Sequence, residues 1–392
     1  FEPLRDKIDN LKLRASYGLV GSDETGTDFG HFLYLDKVEL DNIKYSTGYD
    51  WQTTFGGPKI SSYYVLDAGW ERSKKLDVGL EMTLFRHWNI TADYFYEKRS
   101  NILMQRKTWP SQLGYSATPW SNVGKVDNWG WEFSTNYHHS INKDLSMDFR
   151  GNFTYVENKY VYRDEPYTPY PWKRETGRPL NSTWGYIAEG LYQTEDEIKY
   201  GPKVELGSTA QVGDIKYRDL NGDGVINSDD QIDLGAGGWS TSPFTFGLNL
   251  TLKYKNFTLF AMGSGQTGAV AFKNNSYYWN RGTSKFSEIV MGRWTEETKE
   301  TATYPRLSTS NGDNNFRNST FWMYKNNVFR LSNVQLTYDF PTDTFNGTFI
   351  RGLSLYCGGS NLLTIAKERE YMEMSLGAPQ YRNFYLGFKA AF

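Results

Sequence analysis

The chain closes on the stretch FYLGFKAAF, Phe384 to Phe392. Phe384, Leu386, Phe388, Ala390 and Phe392 share one parity, and Tyr385, Gly387, Lys389 and Ala391 share the other. Successive side chains of a strand point to opposite faces, so this is a strand with one apolar face that ends on an aromatic. Transmembrane β-strands set lipid-facing against lumen-facing residues by that alternation. A mean hydropathy of -0.64 does not exclude such a protein, because a polar lumen and long wet loops lower the average.

The same period recurs upstream. Leu76, Val78, Leu80, Met82 and Leu84 oppose Asp77, Gly79, Glu81 and Thr83, and after a turn at 86–89, Ile90, Ala92, Tyr94 and Tyr96 oppose Thr91, Asp93 and Glu97. A strand over 129–141 and a turn at 142–144 lead into Leu145, Met147, Phe149, Gly151, Phe153 and Tyr155, which alternate with Ser146, Asp148, Arg150, Asn152 and Thr154. Phe244 to Leu252 turn at Lys255-Asn256 and return through Phe257, Leu259 and Ala261, and a further pair covers 329–340 and 353–364. With Leu11 to Leu19 at the start, the pattern predicts about ten long antiparallel strands.

The predicted connections alternate in length. Short ones fall at 86–89, 142–144, 255–256 and 341–347; long ones span 20–74, 101–128, 160–242, 265–320 and 366–381. Turns at one end and long loops at the other are the organisation of an outer-membrane barrel, with the turns periplasmic and the loops extracellular. Aromatics make up 17% of the residues, and Phe85, Trp88, Tyr254, Phe257 and Phe340 sit beside the short turns, where an interfacial girdle belongs. No run of about 18 apolar residues is present, so no transmembrane helix is expected, and the chain opens at Phe1 without a signal peptide, which reads as a processed or internal start. A net charge of -2 offers no basic face to nucleic acid. The single cysteine, Cys357, excludes an intramolecular disulfide and shares its parity with Leu353 and Leu355.

Six segments carry a specific likeness: LKLRASYGLVG (Leu11 to Gly21), the run from Trp70 to Glu81, GYIAEGLYQT (Gly185 to Thr194), GDIKYRDLNGDGVINSDD (Gly213 to Asp230), FRLSNVQLTYDFP (Phe329 to Pro341) and SLYCGGSNLLT (Ser354 to Thr364). In this order they resemble the C-terminal part of a SusC/RagA-type TonB-dependent outer-membrane transporter. The resemblance implies an all-β, transmembrane antiparallel β-barrel of about 22 strands around a plug, of which residues 1–392 are roughly the last ten strands, with 161–241 as a long extracellular loop. It further implies no enzymatic activity, a SusD-like surface lipoprotein as lid, TonB pulling on the plug, and an oligosaccharide or peptide as substrate. Nothing in the chain resembles the plug or the TonB box. Ten strands alone leave two open edges in lipid, so the remainder of the transporter is an expected partner and the chain reads as a fragment of a longer polypeptide.

One loop carries cation-ligand spacing. Asp219, Asn221, Asp223, Gly224, Val225, Ile226, Asn227 and Asp230 follow D-x-N-x-D-G-x-I-N-x-x-D. Alternate oxygens of a tight loop can converge on Ca²⁺, with the Val225 carbonyl at the seventh position and glycine at the sixth. The aspartate at position 12, in place of a bidentate glutamate, weakens such a site. Read as local chemistry alone, Asn-Gly-Asp-Gly is a turn.

Trp109, Tyr115, Trp120, Tyr167, Tyr170, Trp172, Trp184, Trp239, Tyr277, Tyr278 and Trp279 lie in the expected loops. Trp109, Trp120, Trp172 and Trp279 are the candidate substrate-stacking residues, with the alternative that loops this long need small cores of their own. His138 and His139 are neighbours on a strand and so face opposite ways, which spoils a dyad. No nucleophile elbow, zincin or P-loop motif occurs. An outer-membrane barrel enzyme with a self-closed ten-stranded barrel lacks clustered histidines. A secreted all-β carbohydrate-binding protein would have to bury its apolar parity against a second sheet.

Overall fold

The computed structural model describes residues 7–24, 32–65, 67–237, 241–283, 285–309, 314–370 and 380–392. Ten long strands form one sheet: β1 Ile8–Ser22, β2 Glu71–Leu84, β3 Trp88–Gln105, β4 Trp120–Ser140, β5 Leu145–Tyr162, β6 Phe244–Tyr254, β7 Phe257–Thr267, β8 Val328–Asp339, β9 Gly352–Ile365 and β10 Asn383–Ala391. Each pairs antiparallel with its neighbour in sequence, and β1 and β10 are the two edges, not paired to each other. A barrel closed on these ten strands alone is therefore not what the chain forms.

Register turns the alternation within each strand into continuous rows across the sheet. Leu13, Leu80, Ala92, Phe133, Phe153, Phe246, Gly265, Phe329 and Ile365 are successive cross-strand partners from β1 to β9. One residue over, Lys12, Glu81, Thr91, Ser134, Asn152, Gly247, Ser264, Arg330 and Thr364 form the neighbouring row. A slip of one residue on any strand would place a polar side chain in the apolar row, so the register is specified at every ladder.

The apolar rows are not packed on a second layer. Leu13 is 76% exposed and Leu386 82%, whereas Tyr192 and Ile226, in the loops, are 1% and 0% exposed. The secreted-sandwich alternative required the opposite. At the turn end, ring contacts link Trp88 to Tyr137, Phe257 to Tyr338, Tyr338 to Phe340 and Phe349 to Phe392, an aromatic band where the girdle was expected. Among the described residues no helix is long and apolar enough to cross a membrane.

Several strand ends differ from the sequence reading. Half of the expected loop over 101–128 is strand: β3 runs on to Gln105 and β4 begins at Trp120, leaving 106–119 as the connection. Asn101 takes a positive φ of 56° and the register shifts between Arg99 and Ile102, so a bulge breaks the parity where Lys98, Arg99, Ser100 and Asn101 already supply no apolar alternation. Likewise β2 starts at Glu71 and β5 continues to Tyr162.

The long connections carry the only sizeable buried core among the described residues. Tyr186, Leu206, Ile215, Tyr217 and Ile226 from 163–243 pack with Phe272, Tyr278, Val290, Tyr304, Phe316 and Trp322 from 268–327. Short ladders frame it: Ser182–Gly185 with Ile232–Ala236, Ala188–Leu191 with Ile215–Tyr217, and Val270–Phe272 with Met323–Lys325. The two connections thus make one cap over the loop end of the sheet.

If the apolar row faces lipid, Leu250→Arg should destabilise the assembled barrel by about 2–4 kcal/mol, with little change for Thr251→Arg, which projects beside Asp148 and Arg150. Cysteines placed at 250 and 251 in native membranes test this with a water-soluble thiol reagent. Equal labelling of the two would reject the assignment of faces.

Candidate functional site

The polar face of β1 to β3 carries an ion-pair cluster centred on Arg14. Arg14 pairs with Asp77 (3.5 Å), Glu81 (3.3 Å) and the nearly buried Asp93, and Lys12 adds a bond to Glu81 (3.3 Å). Gly79 makes the room: a Cβ there would lie 2.1 Å from Asp93 Oδ1 and 2.6 Å from Arg14 Nε. Further round, the wall is largely neutral and hydrogen-bonding. Asn89, Thr91, Ser134, Asn136 and Asn152 line one concavity, and Asp148, Arg150, Asn249, Thr251 and Phe260 another. His138 bonds Asp148 on this face (2.8 Å), while His139 stacks near His87 and Tyr137 on the other, the opposition their adjacency predicts.

The cap is tied together by a buried polar knot. Asp214, 1% exposed, accepts from Arg306 Nε (2.7 Å), Asn315 Nδ2 (2.8 Å) and the Gln211 amide (2.9 Å). Asn315 also accepts from the Ile215 amide (2.7 Å), and its carbonyl takes the Trp322 indole N–H (2.7 Å). The carboxylate comes from one connection and its cation and amide from the other. Burial pushes the hydroxyls of Tyr186, Tyr192 and Tyr304 above the ordinary phenol value, and the Tyr304 hydroxyl donates to the Tyr278 carbonyl (2.7 Å) while that of Tyr186 accepts from Gln231 Nε2 (3.1 Å).

A second knot docks the 106–119 connection. Asp164, 3% exposed, accepts from Arg106 Nε (3.1 Å), the Thr108 amide (3.2 Å) and Thr108 Oγ1 (2.9 Å). Burial pushes this carboxyl up, and the bonds from Thr108 and Arg106 outweigh it, so it sits below the usual carboxylate value.

The oxygens of the Asp219 to Asp230 loop are engaged by the loop's own amides. Asp219 accepts from the amides of Gly222 (2.7 Å) and Gly224 (2.9 Å), Asn221 Oδ1 from that of Asp223 (3.1 Å), and Asp223 Oδ1 from that of Val225 (2.8 Å). Asp230, fully buried, spends both oxygens on the amides of Leu220 and Asn227 (2.8 Å each). No three acidic, histidine or cysteine groups among the described residues are placed to hold a metal. Asx turns thus close the loop on its own amides, and an oxygen that accepts one amide keeps a second lone pair for another donor or a cation.

The candidate tryptophans occupy separate places. Trp172 stacks on Tyr170 (5.1 Å) and its indole donates to the Asp229 carbonyl (2.8 Å), while Tyr170 receives Asn221 Nδ2 (3.1 Å) and Lys173 bonds the Ser228 carbonyl (2.6 Å). The 170–173 segment therefore clamps the 219–230 loop. Trp279 lies against the cap core, edge-on to Trp322 (6.5 Å) and under Arg281 (4.8 Å). Trp109 packs on Tyr115 (5.1 Å), which meets Tyr63 of the first long connection (4.8 Å). Trp120, expected in a loop, is the first residue of β4, opposite Gln105; the bulge that hid the strand ends accounts for the error. Trp239 lies outside the described residues. Asp214, Arg306, Asn315 and Asp164 had no signal in the sequence, since their partners lie far away along the chain.

No family model matches the chain. A TonB-dependent receptor of Formosa agariphila is 28% identical over 376 residues, covering 92% of this chain and 36% of the receptor. The TonB-dependent receptor SusC of Bacteroides thetaiotaomicron is 24% identical over 382 residues, covering 92% and 35%. Among solved structures, the RagAB peptide importer in its open-open state superposes with a TM-score of 0.73 at 21% identity, over 99% of this chain and 40% of that one. The chain thus spans about a third of the length of the curated relatives it matches. The resemblance to SusC/RagA-type TonB-dependent transporters holds in sequence and in fold, and these relatives are named as receptors and importers, not as enzymes.

Three outcomes follow from the knots. Arg306→Ala leaves a buried carboxylate without its cation and should cost about 3–5 kcal/mol of cap stability, read as faster amide exchange in 185–234 and 270–325 with β2 to β5 unchanged. Asp164→Asn should free 106–119; because the Asp164 carboxyl is depressed in the folded state, its contribution is present above the unfolded pKa and lost as pH falls through the folded one, so exchange there should rise on acidification in wild type only. Asp230→Ala strands two amides at about 1–3 kcal/mol each and should speed proteolysis within 215–235; a chelator that speeds wild-type cleavage in the same window would assign a cation to the loop, and one without effect would leave it a turn.

Proposed function

We propose that this SusC/RagA-type chain supplies ten adjoining strands of the wall and a folded extracellular cap to an outer-membrane, TonB-dependent importer of oligosaccharides or peptides. The observation that carries the reading is the unbroken pair of rows: an apolar face open to its surroundings across eight ladders, backed by a face of charges, amides and hydroxyls. A sheet of that kind is stable where hydrocarbon lies on one side and hydrated polar surface on the other. Open edges at β1 and β10 call for partner strands in lipid, and the remaining strands and plug of the same transporter supply them. The Arg14 cluster and the amide-lined wall present hydrogen-bonding partners to a plug inside the lumen.

On this reading a SusD-like lipoprotein seats on the cap, substrate is enclosed between them, and TonB acts on the plug from the periplasm. The chain catalyses no reaction. Trp172, Trp279 and Trp109 are held mainly by packing within the loops, so substrate selection rests on the cap surface as a whole more than on any one indole.

Uptake by cells of the native host tests the proposal, using fluorescent oligosaccharide and peptide mixtures and the full-length transporter. Loss of the transporter, or of TonB, should reduce uptake of one of the two mixtures to background, and a protonophore should do the same. Uptake of both mixtures that persists in the absence of TonB would overturn it.

A further inference from the structure

The apolar-parity face of β2 to β5 changes character along the strands. At the turn end, Leu84, Trp88, Tyr137 and Phe149 are successive cross-strand partners. Moving toward the loops, the row Leu76, Tyr96, Trp129 and Glu157 is followed by Lys74, Lys98, Asp127 and Lys159. Each residue of this last row lies ten positions along its strand from its counterpart at the turn end. At about 3.3 Å per residue and a tilt of about 40°, that separation is about 25 Å along the barrel axis, the height of the apolar band of such barrels. The lysine row therefore stands at the opposite interface from Trp88 and Tyr137.

The cations there are held in place and left unneutralised. Lys98 Nζ lies 5.5 Å over the Tyr96 ring and Lys159 Nζ 5.5 Å over Trp129, contacts that order a flexible ammonium without cancelling its charge. Arg72 extends the patch one step further, and all four basic side chains are exposed. Lys75, on the polar face, pairs with Glu97 (3.7 Å), whereas Arg72, Lys74, Lys98 and Lys159 form no ion pair among the described residues. The two acids on this face are engaged: Asp127 accepts the Tyr96 hydroxyl (2.6 Å) and Glu157 that of Tyr155. At the loop end of β6 to β9 the same face carries Phe244, Phe246, Phe329 and Ile365, so the basic character is confined to one sector.

We propose that this sector of the outer wall, formed by Arg72, Lys74, Lys98 and Lys159 above Tyr96 and Trp129, binds the phosphate groups of outer-leaflet lipids. The inference rests on the apolar parity facing lipid. Ammonium and guanidinium groups at headgroup level meet phosphate oxygens with charge-assisted hydrogen bonds, and the aromatic row beneath them packs on the upper acyl and glycerol or sugar region.

The full-length transporter is reconstituted in vesicles of phosphatidylcholine alone, with phosphatidylglycerol, or with purified lipid A, then extracted in mild detergent and the retained lipid counted by native mass spectrometry. Wild type should retain phosphatidylglycerol or lipid A over phosphatidylcholine. The triple variant Lys74→Ala, Lys98→Ala, Lys159→Ala should lose that retention by about tenfold or more, from about fivefold per lysine near an anionic surface. Retention of both anionic lipids assigns the site to phosphate itself, and retention of lipid A alone assigns it to the phosphorylated glycolipid. Lys75→Ala, on the lumenal face, should behave as wild type. If the triple variant folds poorly, Lys98→Gln with Lys159→Gln gives the same comparison. Undiminished retention in folded variants, or an equal loss in Lys75→Ala, overturns the proposal. Thiol labelling at 250 and 251 reports separately on the assignment of faces.

Discussion

The ladder of backbone hydrogen bonds is the constraint on which everything else in this chain depends. In hydrocarbon no water replaces a missing partner, so each N–H and C=O of a spanning segment must find one in a neighbouring strand. Antiparallel pairing of sequence neighbours from β1 to β10 meets that demand with short turns. Once the ladders are fixed, the parity of every side chain is fixed too, and residues of like character align into rows running round the wall. Polar side chains then have only one face to occupy, which is why Gly79 is small: Arg14 and Asp93 need the space above it.

Two kinds of order coexist. The sheet has no buried apolar core of its own among the described residues, and its largest apolar side chains, such as Leu386 and Phe388, are open. The cap is the reverse, with Tyr192, Tyr278, Tyr304, Ile215 and Ile226 almost wholly enclosed. Hydrophobic burial of the ordinary aqueous kind therefore stabilises the loops, while the strands are held by pairing and leave their apolar face open. Each part is built for the medium it meets.

All ten strands were legible in the sequence because alternation is a local signal, present in each segment without knowledge of its partners. Strand ends were less legible. Beyond the apolar band both faces are polar or covered by loops, and at Asn101 a bulge reverses the parity, so Trp120 read as a loop residue. The cap was legible only as length and aromatic content. Its decisive contacts join Asp214 to Arg306 and Asn315, 92 and 101 residues away, and no periodicity encodes such a meeting. The Asp219 to Asp230 spacing shows the limit of motif reading: oxygens at alternate positions serve a cation or the loop's own amides, and the hydrogen bonds here go to the amides.

The knot at Asp214 also bears on how such a protein can diverge. Because the carboxylate belongs to one connection and its guanidinium to the other, neither loop is an independent module. A lineage that replaced 163–243 alone would leave Arg306 facing a foreign surface, and one that replaced 268–327 alone would leave a buried carboxylate stranded. The rows of the wall impose no such linkage on the loops above them. Inheritance should therefore conserve the wall strand by strand and exchange the two large connections as a pair, with chimaeras that respect the pairing assembling where single-loop grafts fail.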